Sequence, residues 1–195
     1  MCDNSNIEIG IVKDILLIIG SITSIMFAFL GYNKWKKELK GRVKFELTRT
    51  VLKELYSFRD GFKYLRSPLM LAHEFPPNHD PRNHNESETN HYVFSNRFKD
   101  FGHSYNAISS ILPEIELEFE PELFELIREL LFQVVQYKIR LDEFIQLSEK
   151  TNNDEYLLEL KRIVYDIGED NPTTKKFMNT IDKIESKLKD KKRKY

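Results

Sequence analysis

Residues 15–32 form a run of eighteen without a charged side chain, ILLIIGSITSIMFAFLGY, and Ile11 and Val12 extend it across Lys13 and Asp14. A hydrocarbon core about 30 Å thick requires about 20 helical residues at 1.5 Å each. Residues 11–32 therefore predict one transmembrane helix, with a short extracytoplasmic tail at residues 1–10 and a helical domain at residues 33–195. Lys13 and Asp14 lie near one end, where they can pair and reach the interface. A cleaved signal peptide has basic residues before the apolar run and small residues after it. Here Asp3 and Glu8 precede the run and Tyr-Asn-Lys-Trp-Lys-Lys follows it, so the segment is expected to remain as an anchor.

Charge orients the span. Residues 1–14 carry three acids and one lysine, net −2, whereas residues 33–66 carry eleven basic and four acidic side chains, net +7. An excess of Lys and Arg marks the cytoplasmic side. The expected arrangement is single-pass, with the N-terminus outside and the C-terminal domain in the cytoplasm. Tyr32 and Trp35 suit the aromatic belt. Lys34, Lys36, Lys37, Lys40, Arg42 and Lys44 are placed either to meet anionic head groups of membrane lipid or only to fix topology. Within the span Gly20, Ser24 and Ala28 recur every four residues. Such a face admits the close approach of a second helix, although small residues are frequent in spans whatever their packing.

Beyond the span, apolar residues at Trp35, Leu39, Val43, Leu47, Val51, Leu55, Phe58, Phe62 and Leu65 are three or four apart, and no proline intervenes. This predicts one amphipathic helix to Arg66. It can continue the span as a single rod of about 84 Å, with Gly31 and Gly41 as the places to bend. Ser67-Pro68 ends it. Residues 74–91 hold three prolines and four asparagines and predict a polar loop. Helices are then predicted over residues 87–112 and 121–149. A further one is capped by Asn153 or Asp154 and stopped by Gly168, and a last one is opened by Asn171-Pro172. The only strand-like stretch, residues 115–120, is short and lies between helix-starting prolines. The expected fold class is all-α: an N-terminal transmembrane helix plus a cytoplasmic bundle of four to five helices.

Thirty basic and 31 acidic residues nearly cancel, so no overall positive field points to nucleic acid, and no nucleic-acid partner is expected. One cysteine, Cys2, excludes an internal disulfide framework and any multi-thiolate zinc site. The histidines His73, His79, His84 and His91 share the polar loop with Glu74, Asp80, Glu86 and Glu88, which are suitable nitrogen and oxygen ligands. They lack the spacing of a helical metal motif, so a solvated loop is the alternative and no metal is assigned. No glycine-rich phosphate loop or dinucleotide fingerprint is present, and no cofactor is expected. Seven glutamates between residues 114 and 129, against Arg128 alone, form an acidic face that is either solvated or docked on the basic stripe of residues 36–53.

Arg97 and His103, in SNRFKDFGHSY, are six residues apart. This spacing is similar to the signature of HEPN ribonucleases, which are all-α and use Arg and His across a dimer interface to cleave RNA. The resemblance implies Arg97 and His103 as catalytic residues, although Phe98 stands where the family usually has a polar residue. Without it, Arg97 reads as a helix-surface charge and His103 as a polar flank of the Phe101/Tyr105 stripe. The segment WKKELKGRVKFELTRTVLKELYSFRDGFKYLRSPLM resembles a family of uncharacterised bacterial single-pass membrane proteins with a helical cytoplasmic domain. The likeness rests on Trp35, Lys36, Glu38, Leu39, Gly41, Phe45, Glu46, Tyr56, Arg59, Asp60, Arg66 and Pro68. It implies the same topology, located in the bacterial inner (cell) membrane, and no activity. The leading expectation is a non-enzymatic anchor, sensor or effector that is a homo-oligomer or binds an operon-encoded protein partner. The alternatives are a membrane-perturbing effector, as in bacterial defence, and a membrane-tethered ribonuclease.

Overall fold

The structure is a computed structural model describing residues 4–77, 85–148, 155–167 and 171–192. In chain order its helices are α1 (Asn4–Leu65), α2 (Glu86–Ser110), α3 (Leu112–Glu118), α4 (Pro121–Ser148), α5 (Glu155–Val164) and α6 (Pro172–Lys192), with a 3-10 turn at Ala72–Glu74. The fold is all-α, and no strand occurs among the described residues. The strand-like acidic stretch is largely helical in α3, because Pro113 sits in its first turn and the Phe119 N–H closes on the Ile115 carbonyl at 2.9 Å.

The chain divides into two compact units, the second beginning at Leu47. In the first unit α1 is helical through both Gly31 and Gly41. Leu16, Leu17, Ile18, Ile19, Ile22, Ile25, Met26, Phe27, Phe29 and Leu30 are all more than half exposed. Among the described residues this is the one helix long and apolar enough to cross a membrane. The sequence pattern starts the helical domain at residue 33, whereas the compact unit starts at Leu47. The cause is visible in the amphipathic stripe: Trp35, Leu39 and Val43 are 58%, 46% and 50% exposed, and burial begins only at Leu47.

The second unit is a bundle with α4 at its centre, packed against α2, α3, α5 and α6. Leu123, Ile127, Leu130, Val134, Tyr137, Leu141 and Phe144 of α4 are buried at alternating spacings of four and three, the repeat that keeps one helix face inward. The 47–65 stretch of α1 supplies Val51, Leu55, Phe58, Phe62 and Leu65 to the same core, and α6 supplies Phe177, Ile181, Ile184 and Leu188. Each such side chain contributes roughly 1.5–3 kcal/mol on leaving water. The rings of Phe62 and Phe177 stack with centroids 4.0 Å apart, and Phe62 meets Tyr137 edge-on at 5.2 Å. Gly61 lets α2 come close, since a Cβ there would lie 3.0 Å from Cδ2 of Phe101.

Candidate functional site

On the apolar stretch of α1, Gly20, Ser24 and Ala28 are exposed along one face, and a Cβ added at Gly20 would meet nothing within 4 Å. The hydroxyls of this stretch are satisfied inside the helix. Ser21 donates to the Leu17 carbonyl at 2.8 Å, Thr23 to that of Ile19 at 2.9 Å, and Ser24 to that of Gly20 at 2.8 Å. Such bonding lets the segment sit in an apolar solvent without orphaned polar groups. Tyr32 and Trp35 lie next to each other with ring centroids 6.3 Å apart, and Lys34, Lys36, Lys37, Lys40 and Arg42 are exposed around them.

Arg97 is not a surface charge. It is 1% exposed, and its guanidinium grips Glu74, itself 5% exposed, through Nε at 2.6 Å and Nη2 at 3.0 Å. It also donates to the carbonyls of Ser67 and Leu69, both at 2.7 Å. Glu74 accepts from the Tyr64 hydroxyl and from the Leu71 N–H, each at 2.7 Å. The Arg97 hydrogen bonds hold the Glu74 carboxyl at a pKa of about 2 against the opposing effect of burial. Burial works against the Arg97 charge as well, but the Glu74 bonds outweigh it and leave its pKa raised. This cluster straps the turn after α1 onto α2. His103, six residues on, is exposed, so the structure does not bring Arg97 and His103 together within one chain.

A second buried guanidinium, Arg66, is 1% exposed. It donates to the Thr174 hydroxyl at 2.5 Å, to the Ile163 carbonyl at 3.0 Å and to Asn171 Oδ1 at 3.1 Å. Its Nε has no hydrogen-bond partner among the described residues. Desolvation lowers its pKa, against the attraction of Tyr137 and Asp166. Asn171 Oδ1 also accepts from the backbone N–H groups of Thr173 and Thr174, capping α6, while its Nδ2 donates to the carbonyls of Arg162 and Tyr165.

Arg66 lies 5.6 Å over the Phe62 ring and 5.8 Å over that of Tyr137. Phe62 and Tyr137 also line a cleft of about 280 Å³ between α4 and the start of α6, together with Phe132, Phe177, Ile163, Gln133, Gln136, Arg140, Pro172, Thr173 and Lys176. Four of its lining side chains are aromatic and two are cationic, and none is acidic. Arg140 is held at the rim by Glu143 at 3.0 Å and by the Tyr156 hydroxyl at 3.3 Å. Sequence reasoning missed this cleft because its parts come from four distant segments. A second cleft of about 280 Å³, lined by Phe98, Phe101, Tyr105, Val134 and Val135 among others, runs between α2 and α4.

Of the loop histidines, His79 and His84 lie outside the described residues, while His73 and His91 are both exposed. Among the described residues no group of three or more His, Cys, Asp or Glu could hold a metal, and Glu74 is committed to Arg97. In the acidic stretch Glu122 pairs with Lys187 of α6 at 2.6 Å and Glu125 with Arg128 at 3.0 Å. No family model, curated protein or solved structure matches the chain.

Proposed function

We propose that the protein is a non-enzymatic, single-pass membrane protein of the bacterial inner membrane. Its helical bundle faces the cytoplasm and binds a protein partner or a second copy of the chain, as an anchor, sensor or effector. The observation that carries this reading is the apolar stretch of α1, whose side chains from Leu16 to Leu30 have no protein cover. So large an exposed apolar surface calls for lipid or for another chain. The net charge of −2 before it and +7 in residues 33–66 supports the orientation. Gly20, Ser24 and Ala28 form the face for association within the bilayer. The basic belt of Lys34, Lys36, Lys37, Lys40 and Arg42, with Trp35, meets the head groups. Exposed Phe132, Val135 and Ile139 on α4 give the bundle an apolar stripe for a partner.

The test is extraction and mass. Full-length protein is expected to stay with membranes at high pH and to give a defined oligomer by light scattering in mild detergent. A version beginning at Asn33 is expected to be released. Full-length protein that is soluble without detergent would overturn the membrane reading, and a detergent-solubilised monomer would remove the Gly20 face.

A further inference from the structure

We infer that the exposed face of α4 is an interface for a second copy of this chain, packed antiparallel about a twofold axis at Val135. Arg128, Phe132, Val135, Ile139 and Asp142 follow one another at alternating spacings of four and three, so they form one stripe along the helix. That stripe lies on the side of α4 away from the buried Leu130, Tyr137 and Leu141. Its three apolar members, Phe132, Val135 and Ile139, are 59%, 42% and 52% exposed.

The charges at the two ends of the stripe select what covers it. Arg128 and Asp142 stand seven residues before and after Val135, about 10 Å along the helix in each direction. A twofold axis through Val135 reverses the second stripe, so Arg128 of each copy meets Asp142 of the other and Phe132 of each meets Ile139 of the other. A parallel pairing would set arginine against arginine and aspartate against aspartate. The stripe is therefore complementary to itself in the orientation that a closed dimer requires, a match that contact with an unrelated protein does not call for. Within its own helix Arg128 pairs with Glu125 at 3.0 Å, and Asp142 with Lys138 at 3.3 Å, and all four side chains are more than half exposed. Such exposed pairs contribute little by themselves. Across the axis they join as Glu125, Arg128, Asp142 and Lys138, a row of alternating sign in which no charge has to leave its present partner. The stripe is small against the roughly 800 Å² per partner of a standard interface, so a freely diffusing partner would be held weakly. Copies anchored in one bilayer meet at a raised effective concentration, and this step rests on the membrane reading proposed above.

The test uses full-length protein in intact cells, on a Cys2→Ser background that removes the chain's only thiol. With a short bismaleimide, Val135→Cys is expected to cross-link between copies at least about ten-fold faster than Ser186→Cys, an exposed position on α6. In the Val135→Cys protein, Arg128→Asp and Asp142→Arg are each expected to slow that reaction about ten-fold, because each sets like charges together at both ends of the stripe. Combining the two restores opposite charges between identical copies, and the rate is expected to return to within about three-fold of its starting value. All four positions are exposed, so the helical circular dichroism is expected to stay unchanged. Equal rates at positions 135 and 186 would overturn the interface. So would single swaps without effect, or a double swap no faster than either single one. Protein that stays in the membrane at high pH but does not cross-link loses only the α4 contact, whereas protein that is released and still cross-links loses only the membrane anchor.

Discussion

At the scale of single residues, the Glu74–Arg97 pair is a contact whose loss is costly. Both groups are buried, and the carboxylate is saturated by Arg97, Tyr64 and the Leu71 N–H. Removing one partner leaves the other as an uncompensated buried charge, a penalty of about 3–5 kcal/mol. Glu74→Gln is therefore expected to lower stability in urea unfolding by about 3 kcal/mol at pH 7. The pH dependence has a definite sign. The Glu74 pKa falls on folding, from its ordinary value of 4.5 to about 2, so its contribution is complete above pH 4.5 and is lost as the pH falls towards 2. The gap between wild type and Glu74→Gln should close over that interval, and a gap constant from pH 7 to pH 2 would contradict the assignment. None of this was legible in the sequence. Arg97 looked like a surface charge because helical periodicity places a side chain inward or outward but does not identify a partner 23 positions away. Arg66 was hidden for the same reason, since Thr174 and Asn171 lie more than 100 residues further on.

At the scale of elements, helical glycines separate into two kinds. Gly41 has nothing within 4 Å of where a Cβ would stand, whereas Gly61 has the Phe101 ring at 3.0 Å. Phe101 cannot swing away freely, since Phe58, Phe62 and Phe98 surround it with centroids 4.9, 6.0 and 6.3 Å distant. Gly61→Ala is expected to destabilise the bundle by up to about 2 kcal/mol, an overpacking cost of about 1–3 kcal/mol less the roughly 1 kcal/mol that alanine gains over glycine in a helix. Gly41→Ala should leave the bundle's melting unchanged and raise local helix propensity by about 1 kcal/mol. Thermal melts of both variants check the contrast, and a Gly61→Ala protein as stable as wild type would mean that α1 and α2 are packed more loosely than the distance states. The elements themselves were largely legible. The spacing of four and three along α4 and the Asn171-Pro172 start of α6 were both readable as helix signals, and both helices are present. The acidic run before Pro121 was less so, because its alternating Glu and apolar residues satisfy a period of two as well as a short helical turn.

At the scale of the whole chain, the boundary between the two units is the feature that sequence places least well. The apolar stripe of α1 continues unbroken from Trp35 through Val43 into Leu47, so periodicity alone cannot say where burial by the chain's own bundle begins. Burial settles it, since the core cluster runs from Leu47 to Leu188 and, among the described residues, takes none before Leu47. A stable core needs its own buried apolar residues and no others. A version beginning at Leu47 is therefore expected to fold cooperatively. Its melting temperature should lie within a few degrees of that of the full-length protein, because the core cluster of the second unit is kept whole. It is also expected to lose the membrane association proposed for the intact chain. Circular dichroism melts and sedimentation of the shortened protein measure both properties. A broad, non-cooperative melt would show that residues 4–46 contribute to the folding of the bundle. A cooperative melt with retained membrane binding would instead transfer the lipid contact from α1 to the apolar stripe at Phe132, Val135 and Ile139.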